Sequence, residues 1–218
     1  MYDAQNVGYG QEEQCIQYCA RNMENTSIYD RLLKQSRNAY QGHKGLSDFC
    51  SFPDDVTAQT FEPLHRAPAD LLEADPMLSS SQFSALCTAI RHACPVMHWR
   101  QIYHGSRADT GFMDRLGCFS IIGNGAPFIS DKLRLFMVYM PAHLYYPLHR
   151  HPAEEMYLVI AGNACFRRQG EKDSICSEGE TVFHAHQQPH AIETYDMPML
   201  SLVAWRNHLD TPPVLIDA

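Results

Sequence analysis

The chain has 218 residues, of which 45% are hydrophobic and 19% charged, an ordinary globular balance with enough apolar content for a packed core. Its formal net charge of −8 argues against a nucleic-acid partner, because phosphate binding needs a concentrated basic face. No run of about 18 or more apolar residues occurs, so no membrane span is expected; the start MYDAQNVGYGQEEQ lacks the basic-then-apolar pattern of a secretory signal, which points to the cytosol.

Residues 11–41 are rich in Gln, Glu, Arg and Leu and read as helical, with Asn25, Thr26 and Ser27 expected to break the segment into two helices. The stretch 42–77 carries Gly42, Gly45, Pro53, Pro63, Pro68 and Pro76 and reads as loops and short turns. Ser80 or Ser81 is placed to cap a helix running to Ala93, with Phe83, Leu86, Cys87 and Ile90 on one face and Pro95 ending it. From about residue 115 the period changes. Short strands are expected over 133–140, 155–160, 164–168, 174–177, 180–184, 191–194 and 199–206, separated by Gly162, Gly170, Gly179 and the turn at 196–198. Such a series favours a closed sandwich or barrel. The expected architecture is mainly β with a helical N-terminal region: residues 1–95 pack as helices on a barrel formed by residues 96–218. Eight cysteines, at positions 15, 19, 50, 87, 94, 118, 165 and 176, include no CxxC pair; a chain of this size needs no disulfide staples, so reduced, mostly buried thiols are expected.

The densest chemical signal is the run from Tyr145 to Tyr157, YYPLHRHPAEEMY. Alternate side chains of a strand share a face, so His149 and His151 aim at one point, and Glu155 returns to it after the turn at Pro152 and Ala153. Tyr157 is again two residues on and shares that face. A fourth donor, His190, comes from the His-rich run FHAHQQPH at 183–190. His43, His65, His92, His104 and His208 read as ordinary polar residues. His184 and His186 either hold a ligand's tautomer or face outward.

This pattern resembles the cupin superfamily. His149, His151, Glu155 and Gly162 fit the spacing of its first motif, and Gly179 and His190 that of its second. Ala185, Gln187 and Thr194 stand where Pro, Gly and Asn are usual. The resemblance implies a double-stranded β-helix, or jelly-roll, barrel with a metal near its centre. Three imidazoles and one carboxylate suit Zn, Fe, Mn, Ni or Cu, one divalent ion per subunit, and disfavour Ca and Mg.

The stretch from about Met97 to Arg206 is also similar to a narrower family, the cupin-type dimethylsulfoniopropionate (DMSP) lyases of marine bacteria, particularly the L and Q types. The resemblance is carried by His98-Trp99-Arg100, the HxHPAEEMY run at 149–157, Ala161-Gly162 and Val203-Ala-Trp-Arg206; Arg150 replaces a His found in some relatives, and residues 1–80 contribute no motif. It implies a β-elimination in which the metal binds the substrate carboxylate, a tyrosinate takes the α-proton, dimethyl sulfide departs and acrylate remains. Tyr157 and Tyr146 match positions given the role of base, and the two-residue offset from Glu155 favours Tyr157. Lowering a Tyr pKa from about 10 to about 7 needs roughly 4 kcal/mol, which a neighbouring divalent ion can supply. Aromatic faces attract a sulfonium by about 0.5–2 kcal/mol, and Trp205, Tyr145, Tyr139 and Phe183 are expected to form that box. Two alternatives remain: an Fe(II)-dependent cupin dioxygenase using the same ligands, and a non-catalytic cupin that binds a small carboxylate. A small-molecule partner is expected in each case; a homodimer is possible, with the helical region as a lid or dimer contact.

Overall fold

The protein is described from a computed structural model, over residues 8–103 and 110–216; His104 lies outside them. The N-terminal part is helical: α1 (Gly8–Gly42), α2 (Lys44–Phe49), a two-residue strand β1 (Thr57–Ala58), α3 (Ala67–Ala74) and α4 (Ser84–Ala93). The break expected at residues 25–27 is absent, and α1 is continuous. Asn, Thr and Ser each cost less than about 1 kcal/mol in a helix interior, and the packing of the turns that follow, where Leu32 and Tyr40 are fully buried, outweighs that cost. The stretch 42–77 is not all loop either, since α2 and α3 lie within it. Pro68 sits in the first turn of α3, where a missing N–H is no loss, so this proline starts a helix rather than interrupting one. Ser80 does take part in starting α4: its hydroxyl oxygen accepts the Phe83 N–H at 2.7 Å while donating to the Glu178 carboxylate at 2.8 Å.

A short helix α5 (Thr110–Met113) precedes the strands β2 (Gly117–Ile122), β3 (Phe128–Ile129), β4 (Arg134–Met140), β5 (Tyr145–Arg150), β6 (Glu154–Arg168), β7 (Ser174–Ser177), β8 (Thr181–His184), β9 (His190–Glu193), β10 (Met199–Arg206) and β11 (Val214–Leu215). Their ladder runs β1-β3-β2-β4-β10-β6-β9-β5-β11, with β7 and β8 also pairing with β6. The 15-residue β6 joins the two expected strands 155–160 and 164–168 into one. Its first half pairs with β10 and β8 and its second half with β9 and β7, so it bends from one sheet into the other and the sheets close as the cupin double-stranded β-helix.

Alternation along the strands divides the apolar residues into two clusters. Phe119, Leu135, Met137, Tyr139, Leu158 and Leu202 face outward, where they share one cluster with residues of α1 to α4 such as Leu32, Leu46, Leu72 and Ile90. Phe136, Val138, Tyr157, Phe166, Val203 and Trp205 face inward and fill the barrel. Helices cover the outer face of β4, so all seven of its residues are buried. Cys87, Cys94, Cys118, Cys165 and Cys176 are buried free thiols, and Cys50 is a half-buried one. No helix among the described residues is long and apolar enough to cross a membrane.

Gly162, at the bend of β6, has φ +72°, and a Cβ there would lie 1.8 Å from the Pro198 carbonyl oxygen. Gly170 has a similar φ of +86° with nothing near its Cβ direction. Gly170→Ala should therefore cost only the left-handed backbone penalty, about 1–2 kcal/mol, whereas Gly162→Ala should cost clearly more. Denaturant unfolding of the two variants checks this; equal losses would mean that the bend tolerates the added carbon.

Candidate metal centre

The first donors come from the end of β5 and the turn after it. Between Tyr146 and His149 the pairing of β5 with β9 shifts register, so these two residues, three apart, both face the interior. Their rings stack at 4.0 Å and 9°. His149 pairs with His190 across β9, and His151 follows just beyond the strand. All three imidazoles are held alike: Nδ1 of His149, His151 and His190 donates to the carbonyls of Pro147, Ala153 and Gln188 at 2.8, 2.9 and 2.8 Å. A carbonyl can only accept, so each Nδ1 carries the proton and each Nε2 keeps its lone pair. The ligand atoms of the three lie within 4.8 Å of one another.

Glu155 supplies the carboxylate from the start of β6. Arg134, Trp205, Glu155 and His184 are cross-strand neighbours on β4, β10, β6 and β8. Within that row Trp205 donates its indole N–H to Glu155 Oε1 at 2.6 Å, and His184 donates from Nδ1 to Oε2 at 2.6 Å. The carboxylate is 3% exposed and cannot turn without losing both bonds. Nε2 of His151 and of His190 lie 3.3 and 3.5 Å from the same Oε2. In the tautomer set by the carbonyls, both nitrogens aim a lone pair at a carboxylate oxygen, and Nε2 of His190 is buried without a hydrogen-bond partner. A cation shared by these atoms removes that repulsion, so the donor set fits a transition metal ion of the classes expected.

The electrostatics agree. Burial, reinforced by His190, pushes His149 well below the usual imidazole range and His184 down to about 3, so both are neutral. Burial opposes charge on His151 too, but the Glu155 carboxylate outweighs it and raises the pKa. Burial would raise Glu155, yet the neighbouring His151 and the hydrogen bond from His184 hold it well below the carboxylate range, as an anion.

Of the two readings left open, His184 is fully buried and clamps Glu155, and stacks on His190 at 3.8 Å; His186 is exposed, with Nδ1 2.5 Å from the Pro152 carbonyl. Gln187 has φ +58° where the motif has Gly, and its N–H donates to the His151 carbonyl at 2.9 Å, so the turn before His190 forms with a strained residue in place of a glycine. Thr194, in the place of Asn, donates to Pro141 O at 2.6 Å and accepts the Leu144 N–H at 3.0 Å, tying the β9 end to the β4–β5 turn.

Beside the donors lies a cavity lined by Tyr146, Tyr157, Trp205, Phe136, Cys118 and Arg100 among others. Trp205 is the only member of the expected aromatic box that reaches it. Tyr139 faces the helices, where its hydroxyl donates to Asp75 at 2.8 Å; Phe183 also faces outward, its ring 6.0 Å from Phe49; Tyr145 is 47% exposed. Each is one position out of phase with an inward neighbour: Val138, His184 and Tyr146. The sequence does not mark Phe136, Cys118 and Arg100 as lining; the strand 117–122 carries no turn signal or polar alternation to mark its inward side.

Because His184 drops from 6.5 to about 3 on folding, the unfolded chain binds a proton that the native chain refuses between those values. The stability this contributes is complete above about pH 6.5 and is lost as pH falls, by up to about 1.4 kcal/mol per pH unit. Unfolding free energy of chelator-treated protein should fall by about 2 kcal/mol between about pH 6.5 and 5, and His184→Gln should flatten that slope. A flat profile for the unmodified protein would contradict a buried, neutral His184.

Comparison with known proteins gives a consistent result. The family model for dimethylsulfoniopropionate lyase matches residues 43–201. The dimethylsulfoniopropionate lyase DddQ of Ruegeria pomeroyi is 43% identical over 187 residues, covering 86% of this chain and 93% of the relative. The crystal structure of DMSP lyase DddQ from Ruegeria pomeroyi matches with a TM-score of 0.85 at 42% identity, over 87% of this chain and 96% of that one. A structure reported among the DMSP lyases RdDddP and RnDddQII matches with a TM-score of 0.84 at 28% identity, over 88% of this chain and all of that one. On the extent of these matches, the chain belongs to the dimethylsulfoniopropionate lyase family.

Proposed function

We propose that this chain is a carbon–sulfur lyase that splits DMSP into dimethyl sulfide and acrylate, with Tyr157 as the base and one divalent transition metal ion (Zn, Fe, Mn or Ni) held by His149, His151, Glu155 and His190. The observation that carries this reading is the state of the Tyr157 hydroxyl. Tyr157 lines the cavity beside the donors, and its hydroxyl makes no hydrogen bond to any described residue. Tyr146 also lines the cavity, but its hydroxyl is engaged with that of Tyr103 at 2.9 Å. A base must have its lone pair free toward the substrate, which favours Tyr157.

Burial, followed by the Glu155 charge, pushes Tyr157 well above the ordinary phenol range, and burial does the same to Tyr146. An ion held by His149, His151, Glu155 and His190 would supply the opposing positive charge, which would favour the phenolate and the negative charge that develops on the substrate carboxylate. Tyr157 then takes the proton from Cα, the C–H pair becomes the Cα=Cβ bond, and the Cβ–S pair leaves with sulfur as neutral dimethyl sulfide. The remaining carbons are acrylate. Trp205 is locked by its bond to Glu155 and tilted over His151 at 4.4 Å, a fixed aromatic wall for the sulfonium end. The apolar lining from Phe136, Val138 and Val203 keeps water from the phenolate.

Metal-loaded protein incubated with DMSP should release dimethyl sulfide and acrylate in equal amounts without consuming oxygen, and oxygen uptake would favour a dioxygenase instead. Tyr157→Phe should lower kcat by about 10²–10⁴-fold with metal content unchanged. Tyr146→Phe should cost clearly less. A Tyr157→Phe variant with near-normal kcat would remove Tyr157 as the base.

A further inference from the structure

The run His98-Trp99-Arg100 carries two structural residues and one whose role the metal centre leaves unassigned. His98 binds the Glu62 carbonyl at 2.7 Å, outside the barrel. Trp99 is 1% exposed, donates to the Cys94 carbonyl at 2.9 Å and packs edge-on against Phe119 in the helix-facing cluster. Arg100, next in an extended segment, points the other way, into the cavity that holds Tyr157 and Trp205. Its backbone N–H donates to Cys118 O at 2.8 Å, which fixes it to β2. Its guanidinium lies over the Phe136 ring at 4.9 Å.

No carboxylate among the described residues pairs with Arg100. Glu155, which shares the cavity, is taken up by Trp205 and the imidazoles. Asp210, on the rim of a second opening that Arg100 also lines, is paired with Arg134 at 2.9 Å. A half-buried guanidinium resting on an aromatic face lacks the anion its planar fork is shaped for. Among the described residues it is the only Lys or Arg in the lining of the metal-side cavity.

We propose that Arg100 is the second anchor of the substrate's carboxylate and the residue that sets which way round a zwitterionic substrate lies. This rests on the reading of the site as acting on a small carboxylate that carries a sulfonium. The guanidinium attracts the carboxylate and repels the onium, so one orientation is favoured and its reverse is penalised. Its contribution grows along the reaction. As the α-proton leaves, negative charge builds on the carboxylate end, and as the Cβ–S bond breaks, the positive charge on sulfur vanishes. Both changes are favoured beside a fixed cation.

The test separates the two ends of the substrate. Calorimetric titration with propionate (a carboxylate without the onium) and with ethyldimethylsulfonium (an onium without the carboxylate) is run on the metal-loaded protein, Arg100→Met and Arg100→Lys, beside DMSP turnover and elemental analysis. Arg100→Met should weaken propionate about tenfold or more and lower kcat/KM by more than that, with metal content unchanged and ethyldimethylsulfonium bound equally or more tightly. Arg100→Lys, which keeps the charge and loses the fork, should fall between. Unchanged propionate affinity in Arg100→Met overturns the proposal, as does wild-type protein that binds no propionate. If Arg100→Met does not fold, undiminished propionate binding by Arg100→Lys overturns it as well. Wild-type protein that releases no dimethyl sulfide, yet loses propionate binding with Arg100, would refute the lyase reading and leave this anchor standing. An active lyase whose propionate affinity ignores Arg100 is the converse.

Discussion

The site depends on one buried carboxylate. Glu155 has a donor fixed on each oxygen, the Trp205 indole on one and His184 on the other, and the three are direct neighbours across β10, β6 and β8. A carboxylate is removed from water at large cost unless its lone pairs are met. Here two are met by strand neighbours, so the cost is offset by the same ladder that builds the barrel. What the ladder does not satisfy is the side of Oε2 turned toward His151 and His190, whose nitrogens approach with lone pairs rather than protons. That unsatisfied side defines where a cation belongs.

The barrel exists to hold this geometry, and the helices make the barrel affordable. Its most hydrophobic strands are buried on both faces, inward around the cavity and outward against α1 to α4. The outer cluster stiffens β4, β10 and the first half of β6, the strands that carry Phe136, Trp205, Glu155 and Tyr157. Positions on rigid strands hold Glu155, Trp205 and Tyr157 in fixed relation to one another, as a site of narrow geometric tolerance requires. The cavity then divides its labour among the described residues: the imidazoles and Glu155 on one wall, the Tyr157 phenol beside them, and the Arg100 guanidinium toward the second opening.

The donor positions were legible because their spacing is local. A two-residue alternation, a proline turn and a return after four residues bring His149, His151 and Glu155 together whatever the rest of the chain does, and His190 follows from its place in the second motif. The aromatic box was not legible. β4 is buried on both faces, so its apolar run has no alternation from which to choose Phe136 over Tyr139, and the phase of Phe183 and His184 depends on the register of a four-residue strand against β6. Helix prediction failed in the same physical way: polar residues at 25–27 and a proline at 68 are weak local preferences, and tertiary packing and position within the first turn decided against them. His184 had a visible signal in the His-rich run, but only the pairing with Glu155 distinguishes it from the exposed His186.

The open side of Glu155 is where a cation is expected. Anomalous diffraction from crystals of the metal-loaded protein, collected at the absorption edge of the ion found by elemental analysis, locates it directly. One peak is expected per chain, about 2.0–2.3 Å from Nε2 of His149, His151 and His190 and from a Glu155 oxygen. A site empty in crystals of metal-loaded protein, or an ion held by other residues, would contradict this placement.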